Sequence, residues 1–169
     1  MIKSASQVGR LLHQEHLDTL AAMNTLEEII DSRFRDRPLD VSQEAVRQQL
    51  GTLITAIDHD LYVHFHFEER DIFPILDRAG LGDMTAMLIH EHDAIRGLAS
   101  RLRSVAVGAL QSTFDKTTWS EFREAGMDLV PSVMFHIQKE EMGVIRRLEA
   151  FLDSAIDKEL ADRHAEGAS

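Results

Sequence analysis

The sequence contains no cysteine, only three prolines and nine glycines, and few aromatic side chains. The lack of cysteine excludes disulfides, iron–sulfur clusters, thiolate zinc sites and a cysteine nucleophile. Any metal must therefore be bound by histidine and carboxylate side chains. No run of 18 apolar residues exists, and the N-terminus lacks the basic and apolar segments of a signal peptide. We therefore expect no membrane association and a cytoplasmic location.

Positive charge is also scarce, with 18 Lys and Arg against 29 Asp and Glu and a formal net charge of -11. Nucleic acids and anionic membrane surfaces bind positively charged proteins, so neither is an expected partner. The 169 residues are 44% hydrophobic, which is enough for one domain with a buried core. Long stretches of good helix formers between the few glycines and prolines predict an all-α fold.

Capping residues and apolar stripes predict four long helices. Their expected bounds are Ser4 or Ser6 to Phe34, Ser42 to Ile75, Asp83 to Ala109, and from residues 115–118 onward. Short connections make an antiparallel up-down-up-down four-helix bundle the expected architecture. We expect this bundle to span residues 1–155 and residues 156–169 to form a polar, fraying tail that contains His164.

Each predicted helix carries one histidine where its stripe requires an apolar side chain. These inward positions are His16, His64, His92 and His136. Two of the four are followed by a glutamate four residues later, namely Glu68 after His64 and Glu140 after His136. A spacing of four places both side chains on the same face of a helix. Each such pair can therefore bind one metal ion.

Counting residues from the predicted helix ends places these six side chains at about the same depth in the bundle. Burying them without a cation would cost several kcal/mol per charged group. Nitrogen and oxygen donors suit iron, with manganese and zinc as possible substitutes, whereas calcium and magnesium favour oxygen alone. The alternative is that these are ordinary histidines paired by hydrogen bonds, an explanation that must hold for four helices at once.

The remaining histidines have weaker patterns. His13 lies one turn before His16 and is either an additional ligand or a hydrogen-bonding neighbour of one. We expect surface or interface roles for the other four, which are His59, His66, His90 and His164. Trp119 and Tyr62 are expected to pack in the core.

The motifs resemble those of the hemerythrin-like HHE cation-binding family, in order and spacing, over nearly the whole chain. They are EH at residues 15–16, HFHFEERDIFP at 64–74, EH at 91–92 and HIQKEE at 136–141. The resemblance implies two non-haem iron ions between the four helices, joined by both glutamates and by an oxo or hydroxo bridge. It also implies that dioxygen or another small molecule binds at an open iron position.

The sequence departs from the oxygen-carrying members at Leu88, where those proteins have a further histidine. Four histidines, two bridging glutamates and one shared bridge would leave about two octahedral positions open. The chain is thus more similar to members that repair iron clusters or react with peroxide. We expect a di-iron protein that binds, senses or handles oxygen, nitric oxide or peroxide, as a monomer or homodimer. The alternatives are a catalase-like or peroxidatic enzyme, and iron donation or storage for iron-cluster repair.

Overall fold

The structure is a computed structural model that describes residues 6–31 and 37–167, except the side chains of residues 60 and 61. Every regular element in these ranges is helical, which confirms the all-α bundle. The helices are α1 (Gln7–Ile30), α2 (residues 44–78), α3 (Gly82–Gln111), α4 (residues 116–151) and α5 (Ser154–Gly167). None of the helices in the described ranges combines the length and apolarity needed to cross a bilayer.

Two of the long helices contain turns of π-helix, which are wider than α-helical turns and occur often at functional sites. In α2 the successive segments are Glu44–His59, the π turn Asp60–His64, Phe65–Phe67, the π turn Glu68–Ile72, and Phe73–Arg78. In α4 they are Lys116–Glu140, the π turn Glu141–Ile145, and Arg146–Phe151. All three π turns begin or end at, or next to, predicted metal ligands.

Two of the predicted helix caps, Ser6 and Asp115, are confirmed, whereas α2 begins at Glu44 rather than at Ser42 and α3 begins at Gly82, before Asp83. Ser6 accepts a hydrogen bond from the backbone of Gly9 at 2.8 Å, and Asp115 and Thr118 form a reciprocal capping box at the start of α4. The other suggested cap, Ser4, and the predicted end at Phe34 lie outside the described residues. The second helix ends at Arg78 rather than Ile75, because Pro74 lies in the first turn of the segment Phe73–Arg78, where proline is tolerated, instead of ending the helix.

The buried apolar residues form two clusters along the bundle. One contains Ile95 and Ala99 of α3, and the other contains Leu88 from the same helix. His92 lies between these positions in sequence. In α4, Glu140 likewise separates Ile137, in the first cluster, from Val144, in the second. The predicted metal-binding layer therefore lies between two apolar layers, and its six side chains are 3% exposed or less.

The prediction that residues 156–169 form a fraying tail is wrong for the residues that the structure describes, which extend to Gly167. Residues 154–167 form α5, whose buried side chains Asp157, Leu160, Ala161 and His164 follow the spacing of one helix face. Leu160 and Ala161 belong to the second apolar cluster. The side chain of Asp153 starts this helix by accepting hydrogen bonds from the backbone of Ala155 and Ile156, both at 2.9 Å.

The only tryptophan and the only tyrosine of the sequence differ in exposure. Trp119 is 3% exposed and stacks on Phe122 at a centroid distance of 5.7 Å, so its predicted place in the core is confirmed. Tyr62 is 70% exposed, and the prediction that it packs in the core is wrong. Tyr62 precedes the buried His64 by two residues, and this spacing turns it to the opposite side of the helix.

Candidate metal centre

The structure brings together the six side chains that the sequence singles out. They are 3% exposed or less, and they form two groups whose donor atoms lie close enough to hold a metal ion. The first group is His16, His64, Glu68 and Glu140, and the second is Glu68, His92, His136 and Glu140. Each histidine comes from a different helix of the bundle. Both glutamates belong to both groups, so the two groups are adjacent and share their carboxylates.

Glu140 presents a different oxygen atom to each group. Its Oε2 lies 3.2 Å from Nε2 of His16, and its Oε1 lies 3.0 Å from Nε2 of His136. Glu68 Oε2 lies 3.6 Å from Nε2 of His64 and 3.4 Å from Nε2 of His92. The Nε2 atoms of all four histidines therefore face the shared carboxylates. Those of His92 and His136 approach each other to 2.9 Å.

The other ring nitrogen of each histidine, Nδ1, is within hydrogen-bonding distance of a carboxylate outside the two groups. Glu15 lies 2.7 Å from His64, Glu69 lies 2.7 Å from His92, Glu91 lies 3.1 Å from His136, and Glu141 lies 2.7 Å from His16. Metal-binding histidines usually donate their second N–H group to such a partner, which fixes the ring orientation and leaves the other nitrogen for the metal. The orientation of all four rings is thus set from outside the centre.

Sequence reasoning did not assign these four outer carboxylates, although a signal for them exists. Each lies next to a predicted ligand in sequence, as in the pairs Glu15–His16, Glu68–Glu69, Glu91–His92 and Glu140–Glu141. Neighbouring residues of a helix point in different directions. One member of each pair can therefore face the centre while the other reaches a histidine on an adjacent helix. Glu69 and Glu141 do so from within π turns.

The outer carboxylates have further partners of two kinds. Arg96 donates to Glu69 at 2.7 Å, and Lys139 donates to Glu91. The other two contact histidines instead. Glu141 lies 2.9 Å from His13, and Glu15 Oε1 lies 2.6 Å from His164 and 3.2 Å from His59.

The histidines outside the six ligand positions have three different outcomes. Because His13 contacts Glu141 and belongs to neither metal-binding group found in the described residues, its place in the structure is that of a hydrogen-bonding neighbour. His66 and His90 are exposed as predicted. A surface position is wrong for His164, whose side chain is 4% exposed. His59 is half-buried and contacts Glu15 at 3.2 Å.

The carboxylates strongly perturb two histidines of the centre, His16 and His92. Burial alone would lower the pKa of His16 and His92, but the nearby negative carboxylates, Glu140 foremost, outweigh it and raise both pKa values to about 10. Burial alone would raise the pKa of Glu140, yet the attraction of His136 and the close approach of the His16 and His92 rings hold it well below its ordinary value. Without a metal, protons thus take the place of a cation in this layer.

Five buried donor or acceptor atoms of this layer have no hydrogen-bond partner within the part of the chain that the structure describes. They are Nε2 of His16 and both carboxylate oxygens of Glu68 and of Glu140. Leaving such atoms unpaired costs about 1–3 kcal/mol each, and more when they are charged. Coordination to metal ions would satisfy all five, and nitrogen and oxygen donors together suit transition metals. The residues present therefore fit a bound metal.

The buried layer holds two groups of His and Glu side chains that share their carboxylates. Helical bundles with such a layer form a class of metal-binding proteins, to which this chain conforms. Comparison with protein families gives the particular family. The hemerythrin HHE cation binding domain matches residues 8–148, so the chain belongs to this family and the resemblance seen in the motifs is confirmed. A search of curated proteins finds no significant match. Helix α5 lies beyond the matched residues.

Proposed function

We propose that this protein binds two non-haem iron ions and uses them to bind, sense or handle oxygen, nitric oxide or peroxide. One ion would be held by His16 and His64, the other by His92 and His136, and both by Glu68 and Glu140. The observation that carries the proposal is the sharing of two buried glutamates whose four oxygen atoms have no hydrogen-bond partner among the described residues. Shared carboxylates of this kind hold paired metal ions in other helical bundles.

The choice of iron rests on the donor set. Imidazole nitrogen and carboxylate oxygen suit iron, and manganese or zinc are possible substitutes because similar sites bind them as well. Two divalent cations carry four positive charges, which would offset the two shared glutamates and part of the charge of the outer carboxylates. Iron supplies one-electron redox chemistry and a binding position for a small ligand.

A small cavity beside the predicted ligands supports the proposal that the bound molecule is small and uncharged. It has a volume of about 20 Å³ and lies against His16, His64, His136 and Glu140. This volume is enough for a molecule of about one or two non-hydrogen atoms. Its other walls are Met23, Ile57, Phe65, Ile95, Ala99, Leu129, Val133, Ile137 and the single hydroxyl group of Thr19. Apolar walls disfavour ions and suit apolar or weakly polar diatomic molecules such as oxygen and nitric oxide.

The test is to load the protein with ferrous iron in the absence of air and to expose it separately to oxygen, nitric oxide and hydrogen peroxide. A saturable change in the absorption spectrum with at least one of the three supports the proposal. The control is protein treated identically after substitution of Glu140→Gln, which lacks one shared carboxylate. An iron-loaded protein whose spectrum responds to none of the three ligands would overturn it.

A peroxidatic or catalase-like reaction is the second candidate, and the position of Leu88 favours it. Leu88 replaces the additional histidine of oxygen carriers and is fully buried within the second apolar cluster. It offers no donor atom, so more than one coordination position is left for a peroxide molecule. Oxygen evolution from hydrogen peroxide well above the rate of free iron would support this reaction.

Iron donation, a cytoplasmic location and a monomeric or homodimeric state remain predictions.

A further inference from the structure

Helix α5 lies outside the residues matched by the family, yet one of its side chains is connected to the metal centre. His164 Nε2 lies 2.6 Å from Oε1 of Glu15. The other oxygen of that carboxylate, Oε2, lies 2.7 Å from Nδ1 of His64. Two consecutive hydrogen bonds therefore join the C-terminal helix to a predicted ligand.

The position of His164 is fixed by the packing of α5. Asp157 accepts hydrogen bonds from the backbone of Gln7 at 2.7 Å and of Val8 at 3.0 Å, which attaches α5 to the start of α1. The ring of His164 packs on Phe67 with a centroid distance of 4.2 Å. His164 is 4% exposed, so water does not compete strongly for its hydrogen bond. A buried ring held in this way has little freedom to turn away from Glu15.

Glu15 needs such a partner to act on His64. A glutamate side chain has several rotamers, and ordering it costs free energy. Here Oε1 is held by His164 at 2.6 Å and by His59 at 3.2 Å, of which the first contact is the shorter. With Oε1 held, the second oxygen stays directed at His64 Nδ1. His64 can then present only Nε2 to Glu68 and the centre.

We propose that His164 is a positioning residue of the metal centre, which holds Glu15 so that His64 keeps Nε2 directed at the metal. The C-terminal helix thus contributes a hydrogen bond that orients a predicted ligand of the family-matched bundle. This inference rests on the proposed metal binding by His64, although not on which gas or oxidant the protein handles. His164 should affect only one metal position. In the described residues, Glu15 lies within hydrogen-bonding distance of His64 but of none of the other three predicted histidine ligands.

The expected effect is selective. Loss of an outer hydrogen-bonding partner of a metal ligand typically lowers metal affinity about 10–100-fold. His164 is separated from the ligand His64 by one additional hydrogen bond, so we expect its loss to lower metal affinity roughly threefold to tenfold. Only the position that includes His16 and His64 should weaken. The position of His92 and His136 has its own outer carboxylates and should keep its affinity.

The test uses the full chain with His164→Phe and His164→Gln. Phenylalanine keeps a ring to pack on Phe67 but has no hydrogen-bond donor, whereas the amide of glutamine can still donate to Glu15. The matched control is Arg163→Gln, which removes the ion pairs of the neighbouring residue with Asp71 and Glu159 and leaves Glu15 untouched. Cobalt(II) is the probe, since its visible spectrum reports coordination and its removal by a chelator can be timed.

For the wild type, His164→Gln and the control, we expect similar release of both cobalt ions. For His164→Phe we expect one ion to leave several-fold faster and the other to be unchanged. Far-ultraviolet circular dichroism verifies folding, and His164→Leu replaces the phenylalanine variant if that variant does not fold.

Two results would overturn the inference while leaving metal binding intact. One is release from the donor-free variant that equals the wild type. The other is equally fast release from the glutamine variant, which would assign the effect to helix packing rather than to the hydrogen bond. A wild-type protein that binds no cobalt or iron would instead overturn the proposed function, and this inference with it.

Discussion

Nδ1 of His92 lies 2.7 Å from Oε1 of Glu69, and this contact determines which nitrogen faces the centre. With Nδ1 engaged by the carboxylate, Nε2 is left to face Glu68 and Glu140, at 3.4 Å and 3.5 Å. Similar contacts hold the other three histidines. The metal-binding geometry of the layer therefore depends on side chains that do not themselves face the metal position.

Replacing Glu69 should weaken metal binding although Glu69 is not a predicted ligand. We expect Glu69→Ala to lower affinity about 10–100-fold at the position of His92 and His136. Titration with cobalt(II) followed by visible absorption measures the change. The control is Glu28→Ala, which removes an exposed carboxylate of α1 and alters the net charge equally. Equal affinities of the two variants would contradict the positioning role of Glu69.

Bound metal should stabilise the fold, because the metal-free layer contains five buried atoms without a hydrogen-bond partner among the described residues. At a free ion concentration 100 times the dissociation constant, one site contributes about 2.7 kcal/mol. This corresponds to roughly 5–10 °C in the unfolding temperature of a domain of this size. Thermal unfolding with ferrous ion or zinc, and again after a chelator, measures the shift. The Glu140→Gln variant should lose most of it, and a full shift in this variant would count against shared ligation.

Metal binding should release protons even above the ordinary pKa of histidine. The pKa values of His16 and His92 are raised to about 10 by the surrounding glutamates, which outweigh burial. Both are therefore protonated in the metal-free protein at about pH 8, whereas an ordinary histidine with a pKa near 6.5 is neutral. Affinity should consequently increase with pH up to about pH 10. Calorimetric titrations in buffers of different protonation enthalpy count the protons, and release of none would refute these shifts.

The same shifts determine how the metal-free protein responds to pH. A raised pKa means that the folded state binds the proton more tightly than the unfolded chain does. The resulting stabilisation is complete below about pH 6.5 and is lost as the pH rises through about 10. The contribution of these two histidines should therefore lower the unfolding temperature of the metal-free protein as the pH rises across this range. A constant or rising unfolding temperature would contradict the assignment.

Filling the cavity should reduce the response to small ligands without removing the metal. Ala99 lines the cavity, whereas Ala106 is equally buried on the same helix but does not line it. Ala99→Val adds two methyl groups at the cavity wall, and we expect it to weaken binding of nitric oxide about tenfold or more. Ala106→Val makes the same chemical change elsewhere and is the control. Iron content should be equal in both variants, and equal nitric oxide affinity would show that the ligand does not enter this cavity.

Much of the bundle was predictable from the sequence because its signals are local. Ser6 and Asp115 act as helix caps as their residue types indicate. The inward position of His16 and His136 follows from the helical period of the apolar residues around them. Burial of each of the predicted ligands at 3% exposure or less agrees with this interpretation.

What the sequence did not predict depends on contacts between distant segments. Glu15 contacts His64 and His164, which are 49 and 149 residues away along the chain, and no local pattern specifies such pairs. Helix α5 is difficult to predict because its composition is polar, and only the i, i+3, i+4, i+7 spacing of Asp157, Leu160, Ala161 and His164 indicates its buried face. Tyr62 is exposed although aromatic residues commonly pack in cores, because it lies two residues before His64 and so faces the opposite side of the helix.

The most direct test of the paired centre is the iron content of protein reconstituted without air, combined with Mössbauer spectroscopy before and after oxidation. We expect about two irons per chain, from the two groups that share Glu68 and Glu140, and magnetic coupling between the oxidised ions. The Glu140→Gln variant should lose at least one of them. A single uncoupled iron per chain, or none, would contradict the account.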